Sequence, residues 1–259
     1  MSFDVTAQSY GSFMGRFSEP LALAFADFAQ VPTVVTGATA LDVGCGTGAL
    51  TAVLADRLGA DRVSAVDPSA SFVDAARDRL PEVDVRAGRA EDLPFGPDGF
   101  DLVLAQLVVH FMTDPVRGIA EMARVARPGG TVAATVWDHG GGQGPLATFW
   151  AAARDLDPGV ADESAMPGVR EGHLEALFTD AGLTDLASTA LSVSVAHDSF
   201  EDWWEPFTLG VGPAGAHVAS LSPEQRDELR DRCRALLPDG PFSTHAVAWA
   251  TRGRAAPRA

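Results

Sequence analysis

Between Ala40 and Gly48 the chain reads Ala-Leu-Asp-Val-Gly-Cys-Gly-Thr-Gly: an apolar run carrying one carboxylate, Asp42, then glycines at alternate positions, Gly44, Gly46 and Gly48. Glycines so spaced let the backbone approach a ligand and adopt positive φ without a side-chain clash, and a helix following them offers unpaired N–H groups. This is the pattern of a nucleotide cradle. Asp42, two residues before the first glycine, favours a cation beside the ligand over a diphosphate. Asp67 closes a second apolar run from Val63, where a carboxylate can accept from both hydroxyls of a ribose. Gly44, Gly46 and Ala49 also satisfy the dinucleotide fingerprint, with Asp67 near the spacing of the ribose-holding acid of NAD enzymes, so the glycines alone leave two nucleoside readings open. His110 and His139, each after a predicted strand, are candidate general bases toward a substrate. His110 is favoured, because the preceding Leu107-Val108-Val109 would desolvate the ring, lower its pKa and keep it neutral at pH 7.

These residues need a sheet to gather them. Apolar runs alternating with helical patterns from Thr39 onward predict a parallel sheet covered on both faces. Strands are expected near 39–43, 62–67, 83–88, 101–106 and 131–137, with helices at 49–58, 69–79 and 115–126, the last opened by Asp114 as N-cap and Pro115 at N1. The run Leu102–Ala105 is apolar without alternation, as a central strand must be. Asp42, Asp67, Gln106 and Asp138 all fall at or near strand ends, the edge where open α/β sheets bind ligands. A helix at 20–28 precedes the sheet. After the fifth strand come a glycine-rich break at 140–145, helices near 146–155 and 170–181, a sixth strand at 186–195 and a seventh at 244–251. The stretch Asp155–Pro167 reads as a flexible loop, and Arg252–Ala259 as a solvated tail.

The 259 residues suit one domain with an elaboration, and no apolar run approaches the roughly 20 residues that span a bilayer. A net charge of −16 argues against nucleic acid or an anionic membrane as partner, leaving a small molecule, and a homodimer is compatible with it. Two cysteines give neither a disulfide framework nor a zinc pattern, so no metal is expected, and Met1–Gly11 shows no basic region followed by an apolar stretch, so a cytoplasmic setting is the expectation. All nineteen basic residues are arginine, which removes Schiff-base chemistry and the phosphate-binding lysine of P-loop enzymes.

The glycine segment keeps further company: Val66-Asp67-Pro68-Ser69, then Gly88-Arg89-Ala90-Glu91-Asp92-Leu93-Pro94-Phe95, then Phe100–Gln106, then Arg124-Val125-Ala126-Arg127-Pro128-Gly129-Gly130. In this order, over about residues 38–137, the motifs resemble class I S-adenosylmethionine (SAM)-dependent methyltransferases of the ubiquinone/menaquinone-biosynthesis type. The resemblance implies a Rossmann-like seven-stranded, mostly parallel α/β sheet with helices on both faces, an N-terminal helical lid (1–37), a SAM-binding core (38–137) and substrate-side elements (138–259); where that fold often has a short hairpin between its last two strands, this chain carries a helical insertion at about 199–240. It implies that Gly44, Gly46 and Gly48 cradle the methionine side of SAM and that Asp67, with Pro68 after it, meets the ribose. It also implies that Ala90 and Glu91 meet adenine, Gln106 the methionine moiety, and Arg16 the methionine carboxylate by bidentate pairing. Arg89 stands where that pattern has an aspartate.

Tyr10 and Phe13 of the lid, and Trp203, Trp204 and Phe207 of the insertion, are candidates to wall an apolar acceptor pocket. The three insertion aromatics stand at helical spacing and could equally fill a core. The expected activity is methyl transfer to an O, N or C atom of a small, mostly apolar molecule. A SAM-binding enzyme of non-methylating chemistry is the alternative. An NAD-linked oxidoreductase is disfavoured, because one tyrosine and no lysine exclude a Tyr-x-x-x-Lys pair.

Overall fold

The computed structural model describes residues 11–34 and 37–257. Seven strands form one sheet: β1 (Ala40–Val43), β2 (Val63–Asp67), β3 (Asp84–Ala87), β4 (Phe100–Gln106), β5 (Ala126–Trp137), β6 (Thr184–His197) and β7 (Phe242–Arg254). Their order is β3-β2-β1-β4-β5-β7-β6. The first five run parallel, and β7 lies antiparallel between β5 and β6. Strand order reverses between β1 and β4, so the C-terminal ends of these two strands flank the crevice where such a sheet takes its ligand.

A π turn (Gly11–Gly15) leads into helix α1 (Arg16–Phe28). Between the parallel strands run α2 (Ala49–Leu58), α3 (Ala70–Arg79) and α4 (Pro115–Val125), the last capped as expected by Asp114, which accepts from the Arg117 N–H at 3.0 Å. After β5 come α5 (Ala147–Leu156) and α6 (His173–Asp180). Between β6 and β7 the insertion carries α7 (Phe200–Trp204), a 3-10 turn (Glu205–Leu209), α8 (Gly212–Ser220) and α9 (Pro223–Ala235). A capping box of Ser222 and Gln225 starts α9.

Every residue of β1 is buried, because apolar layers cover both faces of the sheet. Ile119 and Met122 of α4 and Phe178 of α6 pack on one face over Val103 and Val132. Phe25 of α1 and Leu50 and Leu54 of α2 pack on the other, over Leu102 and Leu104. The insertion has an aromatic core of its own.

Two expectations change. The supposed tail is sheet as far as Arg254: β7 pairs with β6 along its length and with β5 from Ala248 to Arg254, Arg252 donates to Phe28 O at 2.6 Å, and Arg254 donates to Thr131 Oγ1 at 2.7 Å. The 155–167 stretch, expected to be flexible, is folded. Asp162 accepts from the Ser164 N–H at 2.9 Å and starts a 3-10 turn (Glu163–Ala165) whose first residue is buried.

Candidate active site

The glycine turn leaves β1 with φ of 72° at Gly44, 54° at Gly46 and 87° at Gly48. A Cβ on Gly44 would stand 2.4 Å from Val108 Cγ2, so the turn is compressed against the segment after β4. Asp67 holds the turn from β2: its Oδ2 accepts from the Gly46 N–H at 2.9 Å and its Oδ1 from the Ser69 N–H at 2.8 Å. Each oxygen keeps a lone pair for a further donor.

Asp42 is 1% exposed; its Oδ2 accepts from Thr51 Oγ1 at 2.6 Å, while Oδ1 has no partner among the described residues. Burial, with the nearby Asp67 charge, pushes its carboxyl up to about 7. Gln106 donates through Nε2 to Ser18 O of α1 at 2.9 Å and leaves its Oε1 buried and unpartnered among the described residues. Asp42, Gln106 and Gly44–Thr47 line one cavity, and each of the two side chains leaves an acceptor oxygen that a cation or an N–H group would satisfy.

On the other side of Gly44 lies a cleft of about 350 Å³ lined by Pro68, Gly88, Arg89, Ala90 and Glu91. Glu91 Oε1 accepts from the Thr113 N–H at 2.8 Å, and Arg89 lies 3.7 Å from Oε2 and donates to Thr113 Oγ1 at 3.2 Å.

Leu107, directly after β4, has φ of 63°, costly for a bulky residue. It walls the glycine-turn cavity on one side and an apolar cavity of about 50 Å³ on the other. That second cavity is lined by Phe13, Met14, Trp137, Leu146 and the start of α8 at Val211–Ala214, with His110, His139 and Glu163. The two imidazole centroids lie 6.0 Å apart, and His110 Nδ1 has no partner among the described residues. Burial pushes His110 down to about 3 and His139 to about 4, so both rings are neutral at pH 7.

Five sequence-based assignments need correction or lie outside the described residues. Arg16 does not line the glycine-turn cavity: its guanidinium pairs bidentately with Asp202 of α7, at 2.9 and 3.1 Å, and donates to Ala196 O at 2.6 Å. A planar guanidinium takes the carboxylate within reach, and that one belongs to the insertion. Trp203, Trp204 and Phe207 are all buried in the insertion core and do not line the apolar cavity. Phe207 stacks on Phe149 at 4.6 Å and meets Phe13 edge-on at 4.9 Å, so the aromatics bury one another and brace Phe13 from behind. Tyr10 lies outside the described residues. Sequence reasoning missed Glu163, and its only local mark was the Asp162-x-Ser164 turn.

A family model described as methyltransferase domain matches residues 41–134. Demethylmenaquinone methyltransferase of Bacillus licheniformis is 30% identical over 208 residues, 73% of this chain and 81% of that protein. An uncharacterised methyltransferase of Mycobacterium tuberculosis is 44% identical over 98 residues, and the match spans only 38% of this chain and 39% of that protein. Among solved structures, phosphoethanolamine N-methyltransferase 2 of Haemonchus contortus, in complex with SAM, is 18% identical with a TM-score of 0.60, over 98% of this chain and 58% of that one. The chain belongs to the class I SAM-dependent methyltransferases, with their Rossmann-like fold and SAM as cofactor. The orphaned oxygens of Asp42 and Gln106 beside the glycine cradle fit the ammonium end of that cofactor.

Proposed function

We infer that the chain methylates an O, N or C atom of a small, mostly apolar molecule. The observation that carries this reading is the shared wall: Leu107 separates the cavity of Asp42 and Gln106 from the apolar cavity of His110 and His139. SAM, when bound, supplies a methyl group already activated by its sulfonium. Asp42 and Gln106 would receive its ammonium, Asp67 and Pro68 its ribose, and Ala90 and Glu91 its adenine. The protein's remaining tasks are to align an acceptor across Leu107 and to exclude water. The lid, core and substrate-side division of the chain belongs to this reading, with Phe13 and the start of α8 closing the acceptor side. An acceptor cavity of about 50 Å³, against roughly 300 Å³ for a small-ligand pocket, requires these elements to part on loading. A small-molecule partner in a cytoplasmic setting is supported by the charge of −16 and by two unpaired buried cysteines.

Calorimetry tests the reading. SAM and S-adenosylhomocysteine should bind at least tenfold more tightly than NAD, and Asp67→Ala should cost S-adenosylhomocysteine about tenfold or more, the worth of one charge-assisted hydrogen bond. NAD binding as tightly as S-adenosylhomocysteine would overturn it.

A further inference from the structure

The loop between α5 and α6 brings a carboxyl to an otherwise apolar wall. Glu163 is 2% exposed, and its Oε2 has no hydrogen-bond partner among the described residues. It lines the acceptor cavity with His110 and His139. It also lines a second, smaller cavity with Arg154, Asp162 and Ser164, and His139 borders both. Glu163 and His139 therefore stand between an apolar cavity and a smaller, more polar one. The turn that presents Glu163 is held by Asp162, which accepts from Ser164 and pairs with Arg154 of α5. One buried carboxyl oxygen left without a hydrogen-bond partner is costly, and a donor carried by a bound molecule would offset that cost.

We propose that Glu163 is the catalytic base of the acceptor site, and that the acceptor is a mostly apolar molecule presenting a hydroxyl to it. This rests on the methyltransferase reading. The O–H bond breaks as its proton passes to the Glu163 carboxylate. The oxygen's electron pair forms the bond to the methyl carbon while the carbon–sulfur bond breaks with its pair going to sulfur, leaving S-adenosylhomocysteine. The proton then leaves through the cavity of Asp162 and Ser164. A hydroxyl suits this site better than an ammonium: a cation would repel the sulfonium across Leu107, whereas an oxygen losing its proton is drawn to it.

The neighbouring groups agree. Glu163 faces His110 from the turn after β4, His139 from the loop after β5, Arg154 from α5 and Asp162 from its own loop. Burial above all, with a smaller contribution from the Asp162 charge, pushes the Glu163 carboxyl up to about 7, while the Trp150 indole favours its charged form. A base works best when its pKa lies near the working pH, a condition that His110 at about 3 and His139 at about 4 do not meet.

Phenol and anisole, which differ in the hydroxyl proton, are the probes, titrated into protein saturated with S-adenosylhomocysteine. Native protein should prefer phenol at least tenfold at pH 8, with the preference falling at least fivefold by pH 6 as Glu163 takes up a proton. In Glu163→Gln the preference should fall below twofold, with S-adenosylhomocysteine affinity unchanged. A preference that survives in Glu163→Gln, is absent from native protein or is flat with pH would overturn the proposal; the native pH series needs no variant. Failure to bind S-adenosylhomocysteine would instead overturn the methyltransferase reading beneath it.

Discussion

The two halves of the site are built differently. The cofactor half comes mostly from short segments at the ends of adjacent parallel strands, and its turn is set by backbone: Asp67 is held by the N–H groups of Gly46 and Ser69, and the glycines take positive φ. The acceptor half draws Phe13, His110, His139, Glu163 and Val211 from five segments far apart in sequence, joined by apolar packing. Local geometry therefore fixes the first half before any ligand arrives, while the second depends on tertiary contacts and can be altered piecemeal.

The largest expected effect is at the rigid half. Gly44→Ala places a Cβ 2.4 Å from Val108 Cγ2 on a residue with φ of 72°, and overpacking and backbone strain together should cost about 2–4 kcal/mol. Chemical denaturation should show it, with loss of S-adenosylhomocysteine binding. A loss below about 0.5 kcal/mol would mean that the turn is not compressed.

The second effect is at the other half and has the opposite sign. With a carboxyl raised from an ordinary 4.5 to about 7, folded protein holds a proton that the unfolded chain releases, so this contribution to stability is complete below pH 4.5 and lost as pH rises through 7. Glu163→Gln removes the penalty and should stabilise the protein at pH 8 by up to about 3 kcal/mol, with little effect at pH 4. Urea midpoints at the two pH values check it; a variant less stable than native at pH 8 would show the carboxylate to be structurally used.

The smallest effect separates the halves. Arg16 and Asp202 are each about a third exposed, so their pair should contribute no more than about 1 kcal/mol in a double-mutant cycle. Arg16→Ala should leave S-adenosylhomocysteine affinity within twofold of native. A tenfold loss would return Arg16 to the cofactor.

The same division explains what the sequence disclosed. The turn of Gly44, Gly46 and Gly48 and the place of Asp67 are legible because they follow from strand-to-helix geometry within a few residues. His110 and His139 were found as neighbours of strand ends. Glu163 was not, because the burial of a carboxyl in a loop rich in Asp and Pro is decided by α5 and the segment after β5, not by its own neighbours. The pairing of Arg16 with Asp202 was not legible because the two lie 186 residues apart. Trp203, Trp204 and Phe207 carry the same spacing whether they face a ligand or one another, and only the position of Phe149 decides between them. Arg252 and Arg254 looked like tail because the pairing that makes them strand is with β5 and β6.

The central claim is that Asp42 and Gln106 await the ammonium of the cofactor. Its most direct test compares S-adenosylhomocysteine with 5′-methylthioadenosine, which lacks the amino-acid end, by calorimetry on native protein and Asp42→Asn. Native protein should prefer S-adenosylhomocysteine at least a hundredfold at pH 8. The preference should weaken as pH falls below 7, where Asp42 must release a proton to meet a cation, and Asn should remove most of it. Equal affinity for the two nucleosides, or a preference untouched by Asp42→Asn, would contradict the claim.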